Sequence, residues 1–340
     1  MALRRMSPTE FLQVILMAAA WGGSFLFLRM TVGEFGAISL IGLRVAIAGL
    51  VLLPGILRNP EWREQLRQNW FRLMVLGLVN AALPFTLFAY VTLVVSAGFA
   101  SIINATAPLF SAFLAWLWLK DRPSLLAAIG LVTGFSGVVL LVGGVPTTQG
   151  GTLLAISGAF LASFLYGVSA NFVKRELAGV HAWVTTGGSL VCAALLQLPL
   201  AIWQMPDRMP SMQAWAAVVM LAIFCTSIPN IYYFRLVVRA GPTRAMAVAF
   251  LIPVFGMLWG ALILGEVVTL SMLAGCSVIL LGTALVGAKK VPDLFSSRSP
   301  RLVRSSICTT SSRTTTASNC RAVRISRPRP AVTRARCPSG

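Results

Sequence analysis

Residues 107–121 open with Ala107-Pro108-Leu109-Phe110 and run through apolar residues to Leu119-Lys120-Asp121. Residues 252–266 repeat the pattern, with Ile252-Pro253-Val254-Phe255, an apolar run, then Leu264-Gly265-Glu266. The two stretches lie 145 positions apart, and the same ungapped shift superimposes residue types too rare to match easily. Pro54, Pro84 and Pro108 fall on Pro199, Pro229 and Pro253, and Trp70 falls on Trp215. Gly22, Gly130 and Gly137 fall on Gly167, Gly275 and Gly282. Trp21 meets Tyr166, Arg29 meets Lys174, and Asp121 meets Glu266. Self-similarity at a fixed period marks a duplicated architecture.

Composition says what surrounds the duplicated unit. The chain has 340 residues, 57% of them hydrophobic and 11% charged, with a mean hydropathy of +0.83. A soluble domain carries roughly 25% charged residues to face water, so most of this surface faces lipid. A hydrocarbon core about 30 Å thick takes about 20 helical residues. Apolar runs of that length fall at 10–30, 36–57, 70–93, 96–118, 124–143, 150–172, 182–203, 214–236, 242–264 and 269–288. The expectation is an all-α membrane protein of ten transmembrane helices. Its units are a first five-helix repeat over 8–145, a second over 150–290 and a disordered basic tail over 291–340. Arg4 and Arg5 before an apolar run resemble a secretory signal. The run continues past Ala18-Ala19-Ala20 to Leu28 and has a counterpart in the second half, so it reads as a retained span.

Five spans per unit is an odd number, so the second unit enters the membrane upside down. Charge agrees. With the N-terminus inside, fifteen Lys and Arg fall on the inner side, among them Arg58, Arg63, Arg67, Arg72, Lys174, Arg175 and Arg235. Only Arg29 and Arg208 fall outside. Positive charge is retained on the cytoplasmic side, which predicts a multi-pass plasma-membrane protein with both termini cytoplasmic.

The chain resembles a ten-span member of the drug/metabolite transporter superfamily, of the EamA-domain type. The resemblance rests on Ala20-Trp21-Gly22-Gly23-Ser24-Phe25, Leu43-Arg44, and the paired stretches quoted above, within residues 8–288. It implies a central cavity lined by spans 1, 3, 4, 6, 8 and 9, serving metabolite or amino-acid efflux. The tail after Lys290 departs from the family pattern.

Proline inside a membrane helix frees a carbonyl and bends the axis. Pro84, Pro108, Pro229 and Pro253 lie near mid-span and are expected to shape a cavity that flexes, static packing kinks being the alternative. Polar groups in lipid need partners, so Asn80, Tyr90, Asn104, Thr106, Tyr166, Asn171, Asn230 and Tyr233 are candidate cavity residues. Interhelical bonding is their other use. Trp21 and Trp259 are candidates for stacking on a solute, or for filling a core. Arg44, well inside span 2, either attracts a carboxylate in an outer vestibule or pairs with Glu34. Its structural alternatives are snorkelling outward or bonding helix carbonyls. Asp121 and Glu266 sit at helix junctions and read as caps and anchors. Gly130-x-x-x-Gly134 permits close helix approach, between the two halves or between two protomers.

None of the nine acidic residues lies in mid-span, and the one histidine, His181, sits at the mouth of span 7. A facilitator or weakly coupled exporter is therefore expected, rather than a pump with an intramembrane relay. No catalytic residue, metal site or cofactor is expected, since no C-x-x-C or nucleophile–base pattern is embedded. The expected partners are a small solute and the bilayer, and no specific nucleic acid. Ten arginines in the tail favour disorder and contact with anionic lipid, or no function at all. Monomer and homodimer both remain open. The leading function is a secondary transporter or exporter of an amino-acid-like or small amphipathic solute, working by alternating access. The rivals are an intramembrane enzyme, a channel, and a lipid or nucleotide-sugar carrier on the same architecture.

Overall fold

A computed structural model of the chain describes residues 8–120, 124–143, 151–232 and 247–287, and its regular structure there is entirely helical. Helix α1 spans Pro8–Phe35, α2 Ala37–Arg58 and α3 Pro60–Gln68. Next come α4 (Trp70–Gly77), a π-helical turn (Leu78–Ala82) and α5 (Leu83–Val94), which together form one apolar rod. Helices α6 (Ala97–Asn104) and α7 (Ala107–Leu119) follow, then α8 (Leu125–Gly143), α9 (Thr152–Glu176) and α10 (Ala182–Trp203). Helix α11 (Met212–Ala222) passes through a second π turn (Ile223–Ser227), and α12 (Ala247–Leu264) and α13 (Leu270–Gly287) close the described chain. Among the described residues, eight helical segments are long and apolar enough to cross a membrane, and Val248–Leu264 and Leu270–Val286 are two shorter apolar helices. Tyr233, Asp121, Arg235 and the expected disordered tail at 291–340 lie outside the described residues.

Local chemistry sets the helix ends. Gly36 turns the chain from α1 into α2 with φ of 72°, a value that suits glycine because it has no Cβ. The Asn59 side chain accepts from the backbone N–H of Glu61 at 3.0 Å, and Pro60 supplies the preset φ of a first helical residue. Helix α3 has no buried residue and lies along the surface. Its Trp62 stacks on His181, with centroids 4.4 Å apart, and the His181 ring nitrogen Nδ1 accepts from Trp183 N–H to cap α10. Ser96 and Ser211 cap α6 and α11 in the usual way.

Three of the four mid-span prolines coincide with broken helix geometry. Pro84 and Pro229 each stand two residues past the end of a π turn, where a wider ring accommodates the carbonyl that proline excludes. In the second turn the hydroxyls of Thr226 and Ser227 donate to the carbonyls of Leu221 and Ala222, five residues back. Span 4, expected as one helix over 96–118, divides at Ala105–Thr106. Pro108 would clash with the carbonyl of Asn104, and α6 ends there. Pro253, its counterpart, lies inside the unbroken α12.

Packing between the halves is reciprocal. A methyl group on Gly22 would lie 2.7 Å from Phe255 Cβ and 2.9 Å from Gly256 N. On Gly167, 145 positions later, it would lie 3.0 Å from Phe110 Cβ and 2.9 Å from Ser111 N. The same exchange holds where α8 meets α13. A methyl group on Gly130 would lie 2.7 Å from the Gly282 carbonyl oxygen, and one on Gly275 would lie 3.1 Å from that of Gly137. Small residues let these backbones approach, and the glycines of α8 join the two halves of one chain. The two π turns stand at the same 145-residue spacing.

Outward faces are apolar. Leu125, Leu154 and Val139 are 80%, 78% and 71% exposed, while Thr31, Thr92, Ser101 and Ser163 are buried. So much exposed aliphatic surface has lipid as its natural solvent. The chain is a multi-pass membrane protein.

Candidate functional site

Arg44 is the eighth residue of α2 and is 4% exposed. Its Nε donates to Thr226 Oγ1 of the second π turn at 3.0 Å, and its Nη2 donates to Ser24 Oγ of α1 at 3.1 Å. The Phe85 ring, just past the first π turn, covers one face of the guanidinium at 3.8 Å. Tyr166 of α9 and the Cys225 thiol are the ionisable groups that its charge reaches. Five segments of both halves thus converge on one cation. Neither the pairing with Glu34 nor outward snorkelling occurs. Glu34 instead accepts from the backbone N–H and hydroxyl of Ser211, at 2.6 and 2.9 Å.

Among the described residues no carboxylate pairs with Arg44, and its Nη1 has no hydrogen-bond partner. Enclosing a charge without a counter-charge costs on the order of several kcal/mol, so proteins keep such groups where they have work. Aromatic rings pack on one another beside its partners. Phe25 meets Phe88 edge-on at 5.3 Å, and Phe88 stacks with Tyr166 at 6.2 Å.

The other sequence candidates divide. Asn80 joins the central group: its Oδ1 accepts from the Ser169 hydroxyl at 2.8 Å, and that hydroxyl also donates to the Tyr166 carbonyl. Asn171 is a helix tie, donating to the carbonyls of Ser111 and Gly167 at 3.0 and 2.9 Å. Thr106 is fully buried and returns its hydrogen to the Ile103 carbonyl. The indole N–H of Trp259 donates to the Ala19 carbonyl, and its ring stacks with Phe255. Trp21 packs against the core. Asn104 and Asn230 are half-buried. Tyr90 is 47% exposed, on a helix face shared with exposed Leu83 and Val94 and roughly opposite Phe85 and Phe88. Ser24, Phe85, Phe88 and Thr226 are site residues that sequence reading passed over. Ser24 lies within the quoted 20–25 stretch, and Phe85 follows Pro84, so proximity to motif and bend was the available signal.

A second polar cluster links the halves at the helix ends. The Glu266 carboxylate accepts from the N–H groups of Ala97 and Gly98, at 2.9 and 3.3 Å, and so caps α6. It caps a helix 169 residues away rather than its own, as its place at a junction had suggested. Arg29 lies 4.0 Å from Glu266 and donates to the Thr92 carbonyl. Among the described residues no group of three or more His, Cys, Asp or Glu could hold a metal ion.

A profile of the EamA-like transporter family matches residues 9–143 and again 153–288. The chain belongs to the EamA-like transporter family. Several transporters are similar to it over most of their length. An uncharacterized transporter of Archaeoglobus fulgidus is 22% identical over 287 residues, 83% of this chain and 99% of that one. The uncharacterized transporter YvbV of Bacillus subtilis is 24% identical, over 79% and 88%. The uncharacterized inner membrane transporter YedA of Escherichia coli is 25% identical, over 78% and 86%. A solved crystal structure superposes with a TM-score of 0.60 at 19% identity, over 82% of this chain and 96% of its own. At that identity the likeness is one of fold. As an EamA-like protein the chain is a membrane transporter.

Proposed function

We propose that the chain is a secondary transporter of a small solute, built as two inverted five-helix repeats and working by alternating access at the Arg44 centre. The observation that carries this is the reciprocity of the glycine contacts. Exchanging each residue with its partner 145 positions away leaves the pairs Gly22–Phe255 and Gly167–Phe110, and Gly130–Gly282 and Gly275–Gly137, unchanged as a set. Such exchange is the property of a pseudo-two-fold axis. An odd number of spans per unit puts that axis in the membrane plane, where such carriers hold their substrate. Helices α12 and α13, with 18 residues each, are about 27 Å long, which supports a count of ten spans.

The distribution of Lys and Arg supports cytoplasmic termini in the plasma membrane. The solute is small and amino-acid-like or amphipathic, and its direction is outward. Coupling to protons is weak, because mid-span carboxylates are absent and His181 is engaged as a helix cap. Transport, not catalysis, is the chemistry.

Counterflow in proteoliposomes tests the reading. Vesicles preloaded with mixed unlabelled amino acids and small organic acids should take up the labelled forms of some of them, with or without a pH gradient. Accumulation driven by the gradient and abolished by His181→Ala would overturn weak coupling. Spin labels on the two ends of the bundle whose distances never change between conditions would overturn alternating access.

A further inference from the structure

Arg44 presents a guanidinium that is buried in a residue only 4% exposed, has two of its five N–H donors engaged and is uncompensated in charge. Hydroxyls of Thr226 and Ser24 occupy Nε and one position on Nη2, and Phe85 covers one face. Nη1 and its side of the fork have no partner among the described residues. A planar fork of that kind matches a carboxylate, to which it donates two parallel hydrogen bonds. A hydroxyl or amide ligand would leave the charge unneutralised. A phosphate dianion would bring more negative charge than one guanidinium balances. Phe25, next to Ser24, and Phe88, one turn past Phe85, pack on each other and on Tyr166, so the surroundings of the centre are apolar and suit an apolar body on the carboxylate.

We infer that Arg44 is the anion-binding group of the transport site and that the solute presents a single carboxylate, with or without an amino group, beside a small apolar body. This rests on the transporter reading for the solute's onward movement, but not for its binding. The same geometry gives the two halves a joint task. Thr226 comes from the second half and Ser24 and Phe85 from the first, so parting the halves would remove one of the two hydroxyls that hold the guanidinium.

The test uses the full chain in lipid nanodiscs with benzoate and phenylalanine as carboxylate probes. Benzamide and phenethylamine are matched probes without a carboxylate. Thermal unfolding and tryptophan fluorescence titration are the readouts. Saturable stabilisation by benzoate or phenylalanine, and by neither matched probe, is expected; benzoate alone marks a plain anion, phenylalanine alone a zwitterion. Arg44→Gln should weaken that binding by about thirtyfold or more, with Arg44→Lys in between. Ser24→Asp places a carboxylate beside Nη2. It should raise the unfolding midpoint of the empty protein and abolish the ligand shift, which keeps the test decisive if Arg44→Gln fails to insert. Stabilisation by benzamide equal to that by benzoate, no response to either carboxylate, or binding that survives in both variants would overturn the inference. Counterflow separates the two claims. Carboxylates that bind through Arg44 but never cross the bilayer sink the transport reading and leave the site. Carboxylate flux indifferent to both variants sinks the site and leaves the transporter.

Discussion

Arg44 and Ser189 occupy equivalent positions in the two halves, 145 residues apart, and do opposite things. Arg44 reaches out of α2 to a hydroxyl on α1, a hydroxyl in the second π turn and a ring on α5. Ser189 is equally buried, but its hydroxyl turns back to the Thr186 carbonyl of its own helix. Ser24 and Ser169 form a second such pair, one accepting from Arg44 and the other donating to Asn80. Backbone contacts obey the repeat and side-chain chemistry does not. Duplication supplied a scaffold whose halves fit each other, and divergence at a few inward positions made a single, lopsided polar centre.

The largest test of that contrast is to give the second half the same charge. Ser189→Arg buries a cation without a counter-charge at a position whose own hydroxyl is spent within its helix, and should cost about 3 kcal/mol or more. Unfolding midpoints in nanodiscs read the effect, and a variant as stable as Ser189→Ala would show the two positions to be interchangeable after all. Next come Gly130→Val and Gly275→Val. Each drives a side chain into a facing backbone and should cost about 1–3 kcal/mol, by similar amounts. A marked inequality would break the equivalence of the halves.

Glu266→Gln comes third. It keeps an acceptor for only one of the Ala97 and Gly98 N–H groups, sets an NH2 donor against the other, and removes the charge that favours a helix N-terminus and Arg29, for about 1–2 kcal/mol. A midpoint that does not fall would mean that the tie is merely neutral. The smallest effects belong to the prolines. Pro84→Ala and Pro229→Ala should change stability by less than about 1 kcal/mol while slowing amide exchange at 78–82 and 223–227, as each π turn closes toward α geometry. Pro253→Ala, in an unbroken helix, should leave exchange in its own turn close to that of the parent. Equal protection in all three variants would remove the distinction drawn between bent and unbent spans.

Much of the fold was legible because lipid imposes a coarse rule. A backbone that crosses it must be a helix or a closed barrel, and apolar runs of about 20 residues fit only the helix, so length and hydropathy alone locate the rods, and rare residues such as Pro108 and Pro253 reveal the duplication. The candidate site was legible only in part. Arg44 stood out as a charge in an apolar run, but its partners did not, because Ser24 and Thr226 are 20 and 182 residues away. Asn171 and Trp259 carried the same polar signal as Asn80, yet spend it on neighbouring carbonyls. A polar residue in an apolar run announces that it needs a partner, and not which.

Sequence by itself therefore determined the solvent, the helices and the repeat, since each follows from composition and spacing along one chain. Tertiary structure decided which helix breaks at its proline and which does not, and which buried polar groups satisfy each other. It also decided that Arg44 meets hydroxyls and rings in place of a carboxylate. Those outcomes depend on distances between residues far apart in the chain, and a spacing rule carries no information about them.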